Sequence, residues 1–285
     1  MVQTWLITGA SSGFGSALAE VVLKSGHTVI ATARNPVKAG QSHPQMEKLG
    51  GHWIQLDVSS PDAQEKVENS IRKIGRIDVL VNAAGYSILG SIEDMNENEI
   101  HQQFNTNVYG PIRVMKAALP FMRRQRSGII VNFSSIVGLV GLPASGIYSA
   151  SKFALEGLSE SLSRELAAFI IRVLLVEPGG FRTNFLAAFV EPAAGLTTDY
   201  LGTPLAEVLD YFRSADGKQP GDPAKAAKRI QKVVEGNGMG VGKEDFLRLP
   251  LGPDSLQRAR AKLESLKINL DQMETIALST DFEDK

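Results

Sequence analysis

The stretch from Thr4 to Ser25 restricts this chain more than any other. Trp5–Thr8 is an apolar run of strand length, and Gly15–Ser25 carries apolar residues at helical spacing. Between them stand Gly9, Ser11, Ser12, Gly13, Phe14 and Gly15. A strand, a glycine-rich turn and a helix in succession form a phosphate-binding unit. Gly9 allows the tight turn, Gly13 lets backbone approach a pyrophosphate, and Gly15 lets helix and strand pack closely. The positive end of the helix favours the anion. The spacing is G-x-x-x-G-x-G, not the commoner G-x-G-x-x-G.

The rest of the chain repeats the alternation. Strands are expected at Thr28–Ala33, Trp53–Leu56, Asp78–Asn82, Gly128–Phe133, Val173–Glu177 and, at an edge, Phe246–Leu251. Helical patterns occupy Gln45–Leu49, Asp62–Ile74, Asn98–Arg124, Tyr148–Phe169, Asp222–Glu235 and Gln257–Met273. Ser60-Pro61 reads as the start of the helix before Ile74. This order predicts an α/β fold, a doubly wound (Rossmann) parallel sheet of about seven strands with helices on both faces. Residues 1–285 read as a single domain of this kind. Within it, 184–205 reads as a substrate lid loop and 253–285 as a C-terminal helical extension whose last residues, from Ser279, are disordered.

Composition excludes several classes of function. A net charge of −1 favours neither nucleic acid nor an anionic membrane. There is no cysteine, hence no disulfide or thiol nucleophile. His27, His43, His52 and His101 are scattered, so no metal site is expected. No basic region with a long apolar segment stands before the first strand, so no signal peptide is expected, and no apolar run reaches the roughly 18 residues that span a bilayer. The expectation is a cytoplasmic protein without a membrane span.

Candidate site residues cluster at the predicted strand ends, where open parallel sheets bind ligands. Past the second strand, Arg34 stands where NAD-binding chains carry a carboxylate for the ribose 2′-hydroxyl. A guanidinium suits a 2′-phosphate, so NADP(H) is favoured and NAD(H) is the alternative. Asp57 and Val58 end the third strand, facing the adenine side. Asn82, Ala83, Ala84 and Gly85 end the fourth, where small residues let backbone run close to a flat ring. Asn107 interrupts a helical stretch, a poor place for asparagine unless it marks a kink or a bound water.

Ser135 follows the strand Gly128–Phe133, and Tyr148 and Lys152 are one helical turn apart. A tyrosine titrates near pH 10, far from neutrality. A nearby ammonium favours the phenolate and lowers that value, so the phenol can exchange a proton with a substrate oxygen. Ser135 is placed to donate a hydrogen bond to the same oxygen. The pair Tyr-x-x-x-Lys is common by chance and gains weight only from these neighbours. Pro178, Gly179, Phe181 and Thr183 follow the sixth strand, where a Pro-Gly turn carries the chain across the cofactor and the Thr183 hydroxyl reaches a carboxamide. Apolar residues near the tyrosine (Val137, Leu142, Phe185, Leu186 and Phe189), with Gly179, read as a substrate wall.

With these motifs in this order, the chain resembles the short-chain dehydrogenase/reductase family, densely over roughly residues 3–185. A weaker likeness points to its 17β-hydroxysteroid and retinol dehydrogenase-like members. The resemblance implies that Asn107, Ser135, Tyr148 and Lys152 form a catalytic tetrad, with Tyr148 as general acid/base. It implies that Lys152 holds the nicotinamide ribose, that Asn107 holds a water, and that Gly9, Ser11, Gly13, Phe14 and Gly15 line the pyrophosphate. It also implies a homodimer or homotetramer through the helices near 100–124 and 148–169. Two departures stand out: Ala83 replaces the second asparagine of Asn-Asn-Ala-Gly, and the first loop lacks a basic residue found in some NADP-preferring members. The expected activity is NADP(H)-dependent interconversion of a carbonyl and an alcohol on a lipophilic small molecule. A turnover-less dinucleotide sensor and a cofactor-assisted isomerase or dehydratase are the alternatives, and the complete tetrad favours redox turnover.

Overall fold

A computed structural model describes residues 1–282. Seven strands form one sheet in the order β3-β2-β1-β4-β5-β6-β7, with every neighbouring pair parallel. They are β1 (Thr4–Thr8), β2 (Thr28–Ala33), β3 (His52–Gln55), β4 (Val79–Asn82), β5 (Gly128–Phe133), β6 (Ile171–Pro178) and β7 (Arg248–Leu251). The helices are α1 (Gly13–Lys24), α2 (Pro36–Ser42), α3 (Pro44–Lys48), α4 (Ala63–Ile74), α5 (Glu97–Phe104), α6 (Gly110–Gln125), α7 (Gly146–Leu166), α8 (Pro204–Ser214), α9 (Pro223–Glu235) and α10 (Pro253–Leu278).

The core follows from two-sided burial of a parallel sheet. Side chains alternate across β1, so Trp5 and Ile7 enter the layer beneath α1 and α9 while Leu6 enters the layer beneath α4 and α6. Trp5, Leu6 and Ile7 are all fully buried. Burial of each such side chain contributes about 1.5–3 kcal/mol. A third apolar cluster joins Tyr148, Val137, Ala144 and Leu89 to Leu209 of α8.

The helices differ from expectation in several ways. Asp62, not Ser60-Pro61, precedes α4, because Ser60 and Pro61 close a turn in which the Ala63 amide donates to the Ser60 carbonyl at 3.1 Å. Two helices, α2 and α8, have no counterpart in the sequence reading. α2 buries only Ala39 and has little apolar stripe, whereas α8 sets Leu205, Val208, Leu209 and Phe212 at helical spacing against the Tyr148 cluster. The long helix expected over Asn98–Arg124 is broken by a π-helical turn at Asn105–Tyr109. Asn107 sits in that turn, in keeping with asparagine's poor fit to a regular helix interior.

Of residues 184–205, expected as a lid loop, 184–203 are irregular apart from a 3₁₀ turn at Thr198–Tyr200, and Pro204 and Leu205 open α8. The segment is tied down at several points. Val190 exchanges backbone hydrogen bonds with Ser87 and Leu89, both at 2.9 Å. Asp94 accepts from the Thr197 amide at 3.1 Å and its hydroxyl at 2.6 Å. Glu191 pairs with Arg213 of α8 at 2.6 Å. Of the tail expected to be disordered, Glu283–Lys285 lie outside the described residues. Among the described residues, no helix is long and apolar enough to cross a membrane.

Candidate active site

A cleft of about 790 Å³ opens at the carboxyl ends of the strands, where the strand order reverses between β1 and β4. Its two ends have different chemistry.

One end is the glycine turn between β1 and α1. Gly9 has a positive φ of 65°, and a Cβ there would lie 2.7 Å from the Ala84 backbone. A Cβ at Gly15 would lie 2.4 Å from the Gly9 carbonyl. The turn therefore packs backbone against backbone in a form that side chains would break. Thr8 fastens it to β4: its hydroxyl donates to Val81 and accepts from the Ala83 and Ala84 amides at 3.1 and 3.2 Å. Ser12 precedes α1 without capping it by its side chain, so the first amides of α1 have no side-chain acceptor there. Ser11, Ser12, Gly13 and Phe14 line the cleft with Gly9 and Gly15. This cradle fits a dinucleotide's pyrophosphate.

Arg34, Asp57 and Val58 line the neighbouring wall. Arg34 is exposed and belongs to no ion pair among the described residues. Asp57 is partly committed, accepting from the Ser59 amide at 2.9 Å and hydroxyl at 2.6 Å. Ala83, Ala84 and Gly85 line the middle of the cleft, as do Pro178, Gly179, Phe181 and Thr183 from the turn after β6. Phe181 stacks edge-on against Phe14 with centroids 5.1 Å apart, joining the two turns.

At the other end Ser135, Tyr148 and Lys152 share the wall. Ser135 follows β5 and opens a 3₁₀ turn at Ile136–Gly138. Tyr148 and Lys152 lie one turn apart on α7, both buried, with the Lys152 ammonium 5.8 Å from the phenol ring centroid. The ammonium donates to the Phe133 carbonyl at 2.7 Å. Val137, Leu142, Phe185 and Leu186 complete an apolar surface there, and Phe185 packs on Tyr148 with centroids 5.4 Å apart.

Three expected site residues stand behind the wall. Asn82 is buried and donates to Asn132 at 2.8 Å; Asn132 in turn donates to Ser159 at 2.8 Å. Asn107 is buried in the π-turn, where it accepts from the Tyr86 amide at 3.2 Å and donates to the Tyr86 carbonyl at 2.9 Å and to Ser151 at 3.1 Å. Across Gly85 it nears Lys152: a Cβ at Gly85 would lie 3.2 Å from Asn107 Oδ1 and 3.8 Å from Lys152 Nζ. Phe189 packs on the Tyr148 cluster without lining the cleft.

The electrostatics correct one expectation. Burial pushes the Tyr148 phenol above the usual tyrosine range, and its hydrogen bond with Ser135 only partly opposes this. Lys152 adds no lowering beside these two causes in this arrangement, where its ammonium lies 5.8 Å from the ring centroid and donates to the Phe133 carbonyl. Burial lowers Lys152 to about 8, and the negative charge of Glu156 holds it up.

Glu156 and several other residues escaped the sequence reading. Tyr148, Lys152 and Glu156 follow one another at intervals of four, so the motif was visible but Glu156's environment was not. Glu156 meets Arg248 of β7 at 3.0 Å, and Arg248 also meets Glu177 of β6 at 3.2 Å. Asp254 accepts from the Gly180 amide at 2.8 Å and lines the cleft with Gln219 and Arg258. No short-range pattern marks these residues, which come from distant parts of the chain.

Known proteins resemble this chain in sequence and fold. The family model described as short chain dehydrogenase matches residues 3–193. The chain is 48% identical over 210 residues to the oxidoreductase claN of Passalora fulva, covering 73% of this chain and 95% of that one. It is 36% identical over 245 residues to retinol dehydrogenase 8 of Bos taurus, covering 80% and 77%. A short-chain dehydrogenase from Streptomyces avermitilis superposes with a TM-score of 0.86 at 38% identity, covering 99% and 100%. ElxO with NADP bound superposes with a TM-score of 0.69 at 29% identity, covering 90% and 100%. The family match over most of the chain and the likeness to these oxidoreductases and dehydrogenases show that the chain belongs to the short-chain dehydrogenase family as one of its oxidoreductases.

Proposed function

We propose that this oxidoreductase interconverts a ketone or aldehyde and an alcohol on a lipophilic small molecule, uses NADP(H), and employs Tyr148 as general acid/base. One observation carries the reading. Ser135, Tyr148 and Lys152 line one end of a cleft whose other end is the glycine turn and Arg34.

Bound NADP(H) supplies or accepts the hydride. The chain's own residues handle the proton and the charge. Tyr148 gives a proton to the substrate oxygen in reduction and takes it back in oxidation. The phenol's raised pKa keeps the proton in place at neutral pH, which suits the acid role. Ser135 donates a hydrogen bond to the same oxygen. Lys152 holds the ribose hydroxyls and offsets negative charge as the phenolate forms. Each pKa unit of such assistance amounts to about 1.4 kcal/mol. Asn107, facing Lys152 across Gly85, holds a water that returns the proton from solvent.

Arg34 favours NADP(H), since an exposed guanidinium without an acidic partner among the described residues suits a 2′-phosphate. Glycine-turn residues Gly9, Ser11, Ser12, Gly13, Phe14 and Gly15 receive the pyrophosphate. Val137, Leu142, Phe185 and Leu186, joined by Tyr211 and Phe212 of α8, support an apolar substrate under a lid formed by 184–205. The likeness to a retinol dehydrogenase supports the same class. Self-association through α6 and α7 accords with the exposure of Phe153 on α7 and of Tyr109 just before α6.

The test is NADPH consumption with a panel of lipophilic ketones and aldehydes, with Tyr148→Phe alongside. Turnover by the wild type and a loss of at least a hundredfold in the variant are expected. Full activity in Tyr148→Phe overturns the mechanism.

A further inference from the structure

The last helix leaves the body of the protein. Its foot is firmly seated: Ser255 donates to the Glu177 carbonyl at 2.8 Å, and Ala259 packs on the apolar cluster around Tyr148. From Leu263 to Leu278 every residue is exposed. Leu263 is 67% exposed, Leu270 72% and Met273 53%. An overhang of 16 residues extends about 24 Å, and a lone helix of this length is marginal in water.

The exposed apolar residues are ordered. Leu263, Leu266, Leu270, Met273 and Ala277 recur at alternating intervals of three and four, continuing Leu256 and Ala259. This is the seam of a two-stranded coiled coil. Ile268 lies on the outer face and takes no part. The seam's flanks say which occupant fits. In an antiparallel pair, Leu270 meets the partner's Met273, and Leu266 meets the partner's Ala277. In that register Lys267 faces the partner's Glu274, and the reciprocal contact repeats it. A parallel pair instead sets Lys262 beside the partner's Lys267, a like-charge contact. The antiparallel register uses only the overhang and leaves the two bodies at opposite ends. Between Leu263 and Leu278 one lysine stands against three acids, Glu264, Asp271 and Glu274, which disfavours an anionic lipid surface.

We propose that the overhanging half of α10 is a self-association surface, pairing antiparallel with the same helix of a second copy of this chain. The contact is separate from the one assigned to α6 and α7. It steadies the helix whose foot supplies Asp254 and Arg258 to the cleft.

The test compares the full chain with a Leu266→Glu/Leu270→Glu variant by sedimentation velocity over a concentration series. Both positions are already exposed, so the fold is unaffected, which circular dichroism checks. The expected result is an association step present in the wild type and missing in the variant, halving the mass at high concentration. Equal masses at all concentrations overturn the proposal. So does an unchanged mass together with flotation of the wild type on phosphatidylcholine vesicles, which assigns the seam to lipid. Because the chain has no cysteine, a second arm is clean. Leu270→Cys and Met273→Cys proteins are mixed and oxidised. Mixed disulfide dimers in excess over either homodimer are expected. Absence of cross-linking, or homodimers alone, overturns the antiparallel pair.

Discussion

Glu156 stands one helical turn beyond Lys152 on the same buried face of α7, and its charge opposes the loss of the lysine's proton. Desolvation alone drives Lys152 down, so the carboxylate beneath it sets how much of the ammonium survives at neutral pH. In Glu156→Gln that support disappears and the Lys152 pKa falls below about 8. Activity that needs the ammonium is lost as pH rises through this value, so the alkaline limb of kcat/KM moves to lower pH in the variant. Amine-reagent labelling of Lys152, followed by mass spectrometry against pH, reads the same shift without turnover. An unmoved midpoint contradicts the assignment.

Glu177 supplies a pH dependence of stability. Burial, then the neighbouring Glu156, raises it from 4.5 to about 8, with Arg248 opposing the rise. A group whose folded pKa is raised adds stability below its unfolded value and loses it as pH rises through the folded value. The wild type should therefore lose stability between pH 4.5 and about 8, at up to about 1.4 kcal/mol per pH unit for one proton. Glu177→Gln keeps the neutral shape and removes the titration. Thermal melts across this window should show a flatter slope in the variant.

Arg34 should discriminate the cofactors. Arg34→Ala is expected to weaken NADPH binding by about tenfold or more, the worth of a charge-assisted hydrogen bond, with NADH binding nearly unchanged. Fluorescence titration with both dinucleotides measures it. Equal losses for both, or none, remove Arg34 from the 2′-phosphate.

Gly9→Ala should damage the cradle rather than the core. Its positive φ and the 2.7 Å approach to Ala84 mean that a methyl group must displace backbone. The left-handed conformation alone costs a non-glycine residue about 1–2 kcal/mol. Dinucleotide affinity should fall by at least tenfold while the far-ultraviolet spectrum stays native. Retained affinity would show that the turn tolerates a side chain.

The buried ladder Asn82–Asn132–Ser159 should be costly to break. Asn132→Leu strands the Asn82 amide, which then lacks its 2.8 Å acceptor. A loss of about 1–3 kcal/mol is expected in urea denaturation. A neutral result would mean that Asn82 finds another partner.

Much of this was legible before any coordinates. β1, β2, β4 and β5 are short apolar runs because both faces of a parallel sheet are buried, and burial on both sides leaves no polar alternation to confuse them. The glycine turn was legible because its demands are local: a positive φ at Gly9 and backbone contact at Gly15. Tyr148 and Lys152 were legible because helical spacing places them together. Helix α2 was not, since it buries only Ala39 and a weak stripe leaves little trace; α8 went unread although Leu205, Val208, Leu209 and Phe212 mark it, because it directly follows an irregular apolar span. The π-turn showed only as an ill-placed asparagine.

By itself, then, the sequence determined the order of the strands, the phosphate-binding turn and most of the residues around the cleft, because periodicity and turn chemistry act over a few residues. Only the tertiary structure decided their electrostatic state. Tyr148 is raised and Lys152 lowered by desolvation that every packed element contributes to. Glu156, Glu177 and Arg248 meet only because α7, β6 and β7 lie side by side. A proton's affinity depends on all the charges and dipoles around it, and those are gathered by the fold rather than by neighbours in the chain.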